Sequence, residues 1–171
     1  MQVVGKTLVF VMACWIGAVL FMPTKEIYFA IERVLAAKGI EINEKSISEK
    51  PGRFDIDGAT LFFEGMPIAS VEHTECRCML PYIRISLSDI APDSELKRMF
   101  PGKISRIVLR YLPQHLSKVE ISAEGSFGKA EGVFDFVTRR IVLRIVEAKE
   151  IGALRSYLKH DKKGWYYDAR L

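Results

Sequence analysis

The feature that most constrains this chain is a run without charge near its start. Thr7 to Met22 reads TLVFVMACWIGAVLFM and carries no ionisable acid or base other than one thiol. A helix through it is apolar on every side, and such a helix has to leave water. Sixteen residues rise roughly 24 Å, somewhat less than the roughly 30 Å of a bilayer's hydrocarbon core. Val3 and Val4 lengthen the run to about 20 residues when Lys6 reaches back to the interface. Pro23 closes the run directly. The expectation is an uncleaved membrane-spanning anchor over residues 1–23, with Trp15 and Phe21 as its anchoring aromatics. Val11-Met12-Ala13-Cys14 faintly resembles a lipoprotein cleavage box. However, only seven apolar residues precede Cys14, and Trp15–Met22 behind it is apolar too.

Charge is unevenly placed. Residues 1–96 hold 9 Lys/Arg and 13 Asp/Glu, whereas residues 97–171 hold 16 and 8. The basic half suits an anionic lipid surface or an acidic partner, and equally a solvated mixed-charge face. The basic residues are scattered among apolar strand positions, a pattern that does not point to nucleic acid. At 49% hydrophobic and 27% charged residues, the chain has the composition of a globular protein. For orientation, Lys6 precedes the apolar run and Lys25, Arg33 and Lys38 follow it. That count alone puts the larger part in the cytoplasm.

Beyond the run, Thr24 can cap a helix and Glu26 falls in its first turn. Ile27, Ile31, Val34 and Leu35 share a face and Gly39 stops it, so Lys25–Lys38 reads as an amphipathic helix. From Ile40 the period drops to two. Strand-like segments are Ile40–Ile42, two pieces within Gly52–Gly65 separated at Gly58, Ile68–Val71, Glu75–Leu80 and Ile83–Leu87. Ser88–Met99 reads as a loop with one helical turn capped by Asp93. Lys103–Leu112, Ser117–Phe127, Gly132–Thr138 and Arg140–Val146 continue as strands. Turns are expected at Pro113-Gln114-His115, Gly128-Lys129 and Thr138-Arg139. Lys149–His160 reads as a short helix and Gly164–Asp168 as a closing strand. Consecutive hairpins imply antiparallel pairing. The expected fold is therefore α+β: a transmembrane helix (1–23), an amphipathic linker helix (24–39), and a β-rich domain (40–171) built on a curved antiparallel sheet or partial barrel with a short C-terminal helix.

No catalytic constellation stands out, and no catalytic residue, metal ligand or cofactor is assigned. Gly125-Ser126-Phe127-Gly128-Lys129 fails as a phosphate loop, because Ala123 and Ala130 occupy the positions that need Gly and Ser/Thr. His73, Cys76 and Cys78 look like metal ligands. On a strand, however, the two thiols share one face and His73 takes the other. Asp55 and Asp57 read as exposed aspartates on a solvent face. Three cysteines do not make a disulfide framework.

The segments "MPTKEIYFAIERVL", "GRFDIDGATLFFEG", "EGSFGKAEGVFDF" and "GWYYDARL" together resemble the N-component group of type II secretion systems, and more loosely AsmA-like β-domains. The likeness covers most of residues 20–171 and rests on strand rhythm and glycine placement. It implies a single-pass bacterial inner-membrane protein with a periplasmic β-domain. The implied role is that of a non-enzymatic accessory or structural subunit of an envelope complex. The expected partners are the lipid bilayer and other envelope proteins. The alternative expectation is a lipid-binding module, in which Phe54, Phe62, Phe134 and Phe136 line an apolar groove. The same four aromatics would otherwise form a partner face.

Overall fold

The computed structural model describes residues 2–20, 28–29, 32–33, 35–79, 81–93, 97, 102–115 and 117–170. One helix, α1 (Gln2–Leu20), precedes ten strands: β1 (Ile40–Lys50), β2 (Arg53–Phe63), β3 (Met66–Met79), β4 (Tyr82–Pro92), β5 (Ile104–Tyr111), β6 (Lys118–Gly125), β7 (Gly128–Asp135), β8 (Arg140–Ala148), β9 (Lys159–Asp161) and β10 (Gly164–Arg170). All ten form one antiparallel sheet in the order β1-β2-β3-β4-β5-β6-β7-β8-β10-β9. Only the last hairpin departs from sequence order, because β9 lies outside β10. The sheet is open, with β1 and β9 as its edges.

Three expectations of the fold are corrected. First, among the described residues no helix is long and apolar enough to cross a membrane. The charge-free part of α1 runs from Thr7 to Leu20, and fourteen residues rise only about 21 Å. The expected transmembrane helix is therefore not found among the described residues, and the α+β description gives way to a nearly all-β fold. Second, Lys149–His160 is not an α-helix. It holds a 3-10 turn at Gly152–Leu154 and then turns into β9. The backbone bonds of an α-helix are replaced here by pairing of His160 with Trp165. Third, Ser88–Pro92 is not a loop but the end of β4. The expected cap Thr24 and residues 25–27, 30–31 and 34 of the linker helix lie outside the described residues. Within that segment residues 28–29, 32–33 and 35–36 are helical, and the amides of Ala37, Lys38 and Gly39 close the end on the carbonyls of Arg33, Leu35 and Ala36. Asp93 accepts the amide of Lys97 as a helical turn would.

Several strands are longer than their apolar rhythm suggests, and the reason is a single row of irregularities. Apolar side chains of the core alternate along each of the first five strands, then slip by one residue: Ile42 to Ile47, Ile56 to Ala59, Val71 to Cys76, Leu87 to Ile90, and Ile104 to Ile107. Lys45, Gly58, Glu72, Asp89 and Ser105 drop out of the pairing at this row, one per strand. Gly58 and Asp89 take left-handed backbone there, at φ 66° and 53°. A glycine with no Cβ does so at little cost. Gly58 is thus a break in the pairing inside one continuous strand, not the turn between two.

The two faces of the sheet differ completely. Directly paired residues share a face, and one face carries Phe54, Ile56, Cys76, Cys78, Ile85 and Ile107. Tyr28 packs over it, its ring 5.6 Å from that of Phe54. A second cluster gathers Phe127, Ala130 and Ile151, with Trp165 and Leu154 against it. Between them, Leu109, Ile121, Leu143 and Ile141 are only half-buried. The molecule exposes 11686 Å², against roughly 8,500 Å² for a compact monomer of its 19.4 kDa. A sheet one layer deep accounts for much of that surplus.

Candidate functional site

The opposite face is charged, and its register sets three parallel rows across the strands. The first runs Lys50–Arg53–Arg77–Arg84–Arg110–Glu120, each directly opposite the next. The second runs Asp55–Glu75–Ser86–Val108–Ser122–Glu131–Arg144. The third runs Asp57–His73–Ser88–Arg106–Glu124–Lys129. Over β4 to β8 these rows form an open cleft of about 690 Å³, with arginines on its β4–β5 wall and Glu120, Glu124 and Glu131 on its β6–β7 wall.

Charge compensation is uneven along the first row. Arg53 donates from Nε to Asp55 at 2.9 Å and lies 3.3 Å from Glu75, which also takes Arg77. The Asp55 carboxylate raises the Arg53 pKa. Asp55 is buried, contrary to its expected exposure, and only this partner makes a buried carboxylate tolerable. Arg84 has no carboxylate directly opposite it, and Arg110 faces Glu120 across the ladder without pairing with it. Ser86 and Val108 hold the positions that Asp55 and Glu75 hold on β2 and β3. Among the described residues neither arginine forms an ion pair. Farther along, Lys129 is satisfied by Glu131 at 3.2 Å, and Arg144 by Asp161 through two bonds of 2.9 Å.

The third row brings together three residue types that sequence spacing does not connect. Asp57 lies 2.6 Å from His73 Nδ1, and Ser88 stands directly opposite His73 on the next strand. The two carboxylate–imidazole partners are 61% and 42% exposed. Among the described residues Ser88 makes no hydrogen bond to His73. A base that is open to water and not joined to the nearby hydroxyl lacks the preorganisation that makes such a couple work. The signal for this row lies only in the register, which ties residues fifteen and sixteen positions apart.

The two thiols lie on the apolar face, away from His73, as strand geometry requires. Cys76 and Cys78 are both buried, and their sulfurs are 3.7 Å apart. The hydrogen bond from Cys76 lowers the Cys78 thiol to about 7, and the same bond together with burial pushes Cys76 up. Among the described residues no group of three or more His, Cys, Asp or Glu could hold a metal ion.

The four aromatics do not converge. Phe54 is buried under Tyr28 on the apolar face of β2. Phe62 is half-buried beyond the row of slips, beside a register shift at Leu61/Phe62. Phe134 lies on β7, five strand spacings from Phe54, or roughly 24 Å. Phe136 follows β7 in the turn and stacks edge-on to Phe134 at 5.1 Å. Trp15 is 48% exposed on α1, and Phe21 lies outside the described residues. No protein-family model, no curated protein and no solved structure matches this chain.

Proposed function

We propose that this chain is a non-enzymatic, membrane-associated accessory subunit of a bacterial envelope complex, of the kind its secretion-like sequence rhythm suggests, with its sheet on the periplasmic side of the inner membrane. The observation that carries the reading is the apolar face, continuous over the whole sheet but only half-buried across β5 to β8. A face of that kind is stable in water only with a cover. The sheet edges are poor docking sites by comparison. β1 carries Glu41, Glu44, Lys45, Glu49 and Lys50, and β9 is three residues long, which are the two usual devices that discourage strand addition. Partner subunits would therefore meet the face and not the edge. α1 gives the second point of attachment. Leu8, Val9, Phe10, Val11, Met12, Trp15 and Ile16 are all exposed on it. Such a helix sinks into lipid or a partner's groove without needing to span.

The same continuous face favours a second reading, a lipid-binding module. Ile85, Leu109, Ile121 and Leu143 lie in one apolar row across β4 to β8, with Gly132 of β7 between the last two, a strip along which an acyl chain could lie. One experiment separates the two. A photo-crosslinking side chain at Leu109 in the full chain, expressed in a bacterial envelope, should give a discrete protein adduct when a subunit covers the face. Adducts of lipid alone would select the second reading. Adducts of neither kind, with an equal yield from Arg106 on the charged face, would reject both.

A further inference from the structure

We propose that the cross-strand arginine row on the charged face is a binding site for a phosphate-bearing ligand, seated on Arg84 and Arg110 with Arg106 beside them. Like charges placed directly opposite on neighbouring strands repel and destabilise a sheet. Here five cations, Lys50, Arg53, Arg77, Arg84 and Arg110, follow one another over five adjacent strands, a line of about 19 Å. Half of the line is neutralised internally, by Asp55 and Glu75. The other half opens into the 690 Å³ cleft with Ser86 and Val108 in place of acids. A solvated surface would not need guanidinium groups in register at the wall of a cleft. A ligand with two or more oxyanions does, because each planar guanidinium can hold a phosphate through two bonds. The adjacent strand β6, with Glu120 directly opposite Arg110 and Glu124 directly opposite Arg106, disfavours a ligand that is anionic throughout. The phosphates should therefore lie on the β4–β5 side, with an uncharged or cationic part toward β6.

Two sources offer this chemistry, a soluble phosphorylated molecule and a phospholipid headgroup. This proposal stands independently of the accessory role. The test uses the full chain with inorganic tripolyphosphate as the soluble probe, by titration calorimetry at low salt. Vesicles of phosphatidylglycerol and of phosphatidylcholine form the second arm. The readout there is the preference between the two vesicles, since α1 would contribute equally to both. Saturable tripolyphosphate binding supports a soluble phosphate ligand. A several-fold phosphatidylglycerol preference supports a headgroup. In Arg84→Gln/Arg110→Gln the tripolyphosphate affinity should fall at least ten-fold, or the vesicle preference should collapse to near one, and either should stay within two-fold of wild type in Lys162→Gln/Lys163→Gln, which removes the same charge elsewhere. Relief of repulsion also means that the arginine variant melts at or above the wild-type temperature. The proposal is overturned by any of three results: neither probe discriminates, the lysine variant loses as much as the arginine variant, or the arginine variant melts several degrees lower. The last result would make the row structural.

Discussion

Gly128 and Gly132 show how little room one side chain has in this sheet. A Cβ on Gly128 would lie 1.9 Å from the carbonyl oxygen of Glu147, at φ 102°, and one on Gly132 would lie 2.0 Å from that of Val142. Both obstacles are backbone of β8, which cannot move without breaking the β7–β8 ladder. Gly128→Ala and Gly132→Ala should each cost about 2 kcal/mol or more, seen as a drop of several degrees in a thermal melt. An unchanged melt would mean that β7 and β8 are not paired in this register. Gly128 reads in the sequence as a turn residue and Gly132 as the start of a strand, but the turn itself falls at residues 126–127, and both glycines belong to β7. The thiols give a second test. Cys78 ionises at about 7 because Cys76 donates to its thiolate. A depressed thiol adds stability that is present above the ordinary thiol range and is lost as pH falls through about 7. Thiolate absorbance of the folded protein should rise around pH 7, and Cys76→Ala should move that rise upward. No shift in the variant would remove the Cys76 hydrogen bond from the account.

At the scale of elements, the C-terminal hairpin shows how a chain end is tied down. Trp165 and Tyr167 fall on the apolar face and Tyr166 on the charged one, as strand alternation requires. Trp165 packs against the Phe127–Ala130–Ile151 cluster and lies 4.7 Å from His160. Two bidentate ion pairs add to this: Arg140 to Asp168, at 2.8 and 2.6 Å, joins β8 to β10, and Arg144 to Asp161 reaches past β10 to β9. Arg144 holds the Asp161 carboxyl down at about 2, and Arg140 lowers Asp168 likewise. Depressed carboxylates stabilise the fold above their ordinary range, and that contribution is lost as pH falls through about 4 toward about 2. The melting temperature should decline over this interval, and Asp161→Asn should decline less. Deleting residues 164–171 would leave β9 without a partner and strip one edge of β8, and should lower the melt by several degrees or more. Gly164–Asp168 is legible as a strand because three adjacent aromatics at a frayed end would expose a large apolar area. Its outer neighbour β9 is not legible. Lys159–Asp161 is too short to show a period, and only the cross-strand reach of Arg144 reveals its place. The row of slips is hidden for a related reason. Within any one strand a slipped alternation looks like two short strands, and only five slips at one level identify it as a shared feature.

For the molecule as a whole, hairpin rhythm makes the antiparallel sheet readable, and the apolar run marks α1. The run reaches the length of a span only when counted past Leu20 and back beyond Lys6, and the described helix gives no continuous apolar stretch of that length. The lack of closure is equally hidden, since a meander of ten strands reads the same whether its ends meet or not. Openness divides the labour between the faces: an apolar face short of cover, and a charged face with an arginine row. A closed barrel would bury one of them. The most direct measurement is therefore the distance across the sheet. Spin labels at Ser48 on β1 and Tyr166 on β10, with the three cysteines replaced by serine, sit eight strand spacings apart in the open order, or roughly 38 Å before twist shortens it. A pulsed dipolar measurement should return a distribution centred between about 28 and 40 Å. A centre below about 20 Å would bring β1 and the β10–β9 edge together, and would contradict both the open sheet and the two exposed faces on which the proposed functions depend.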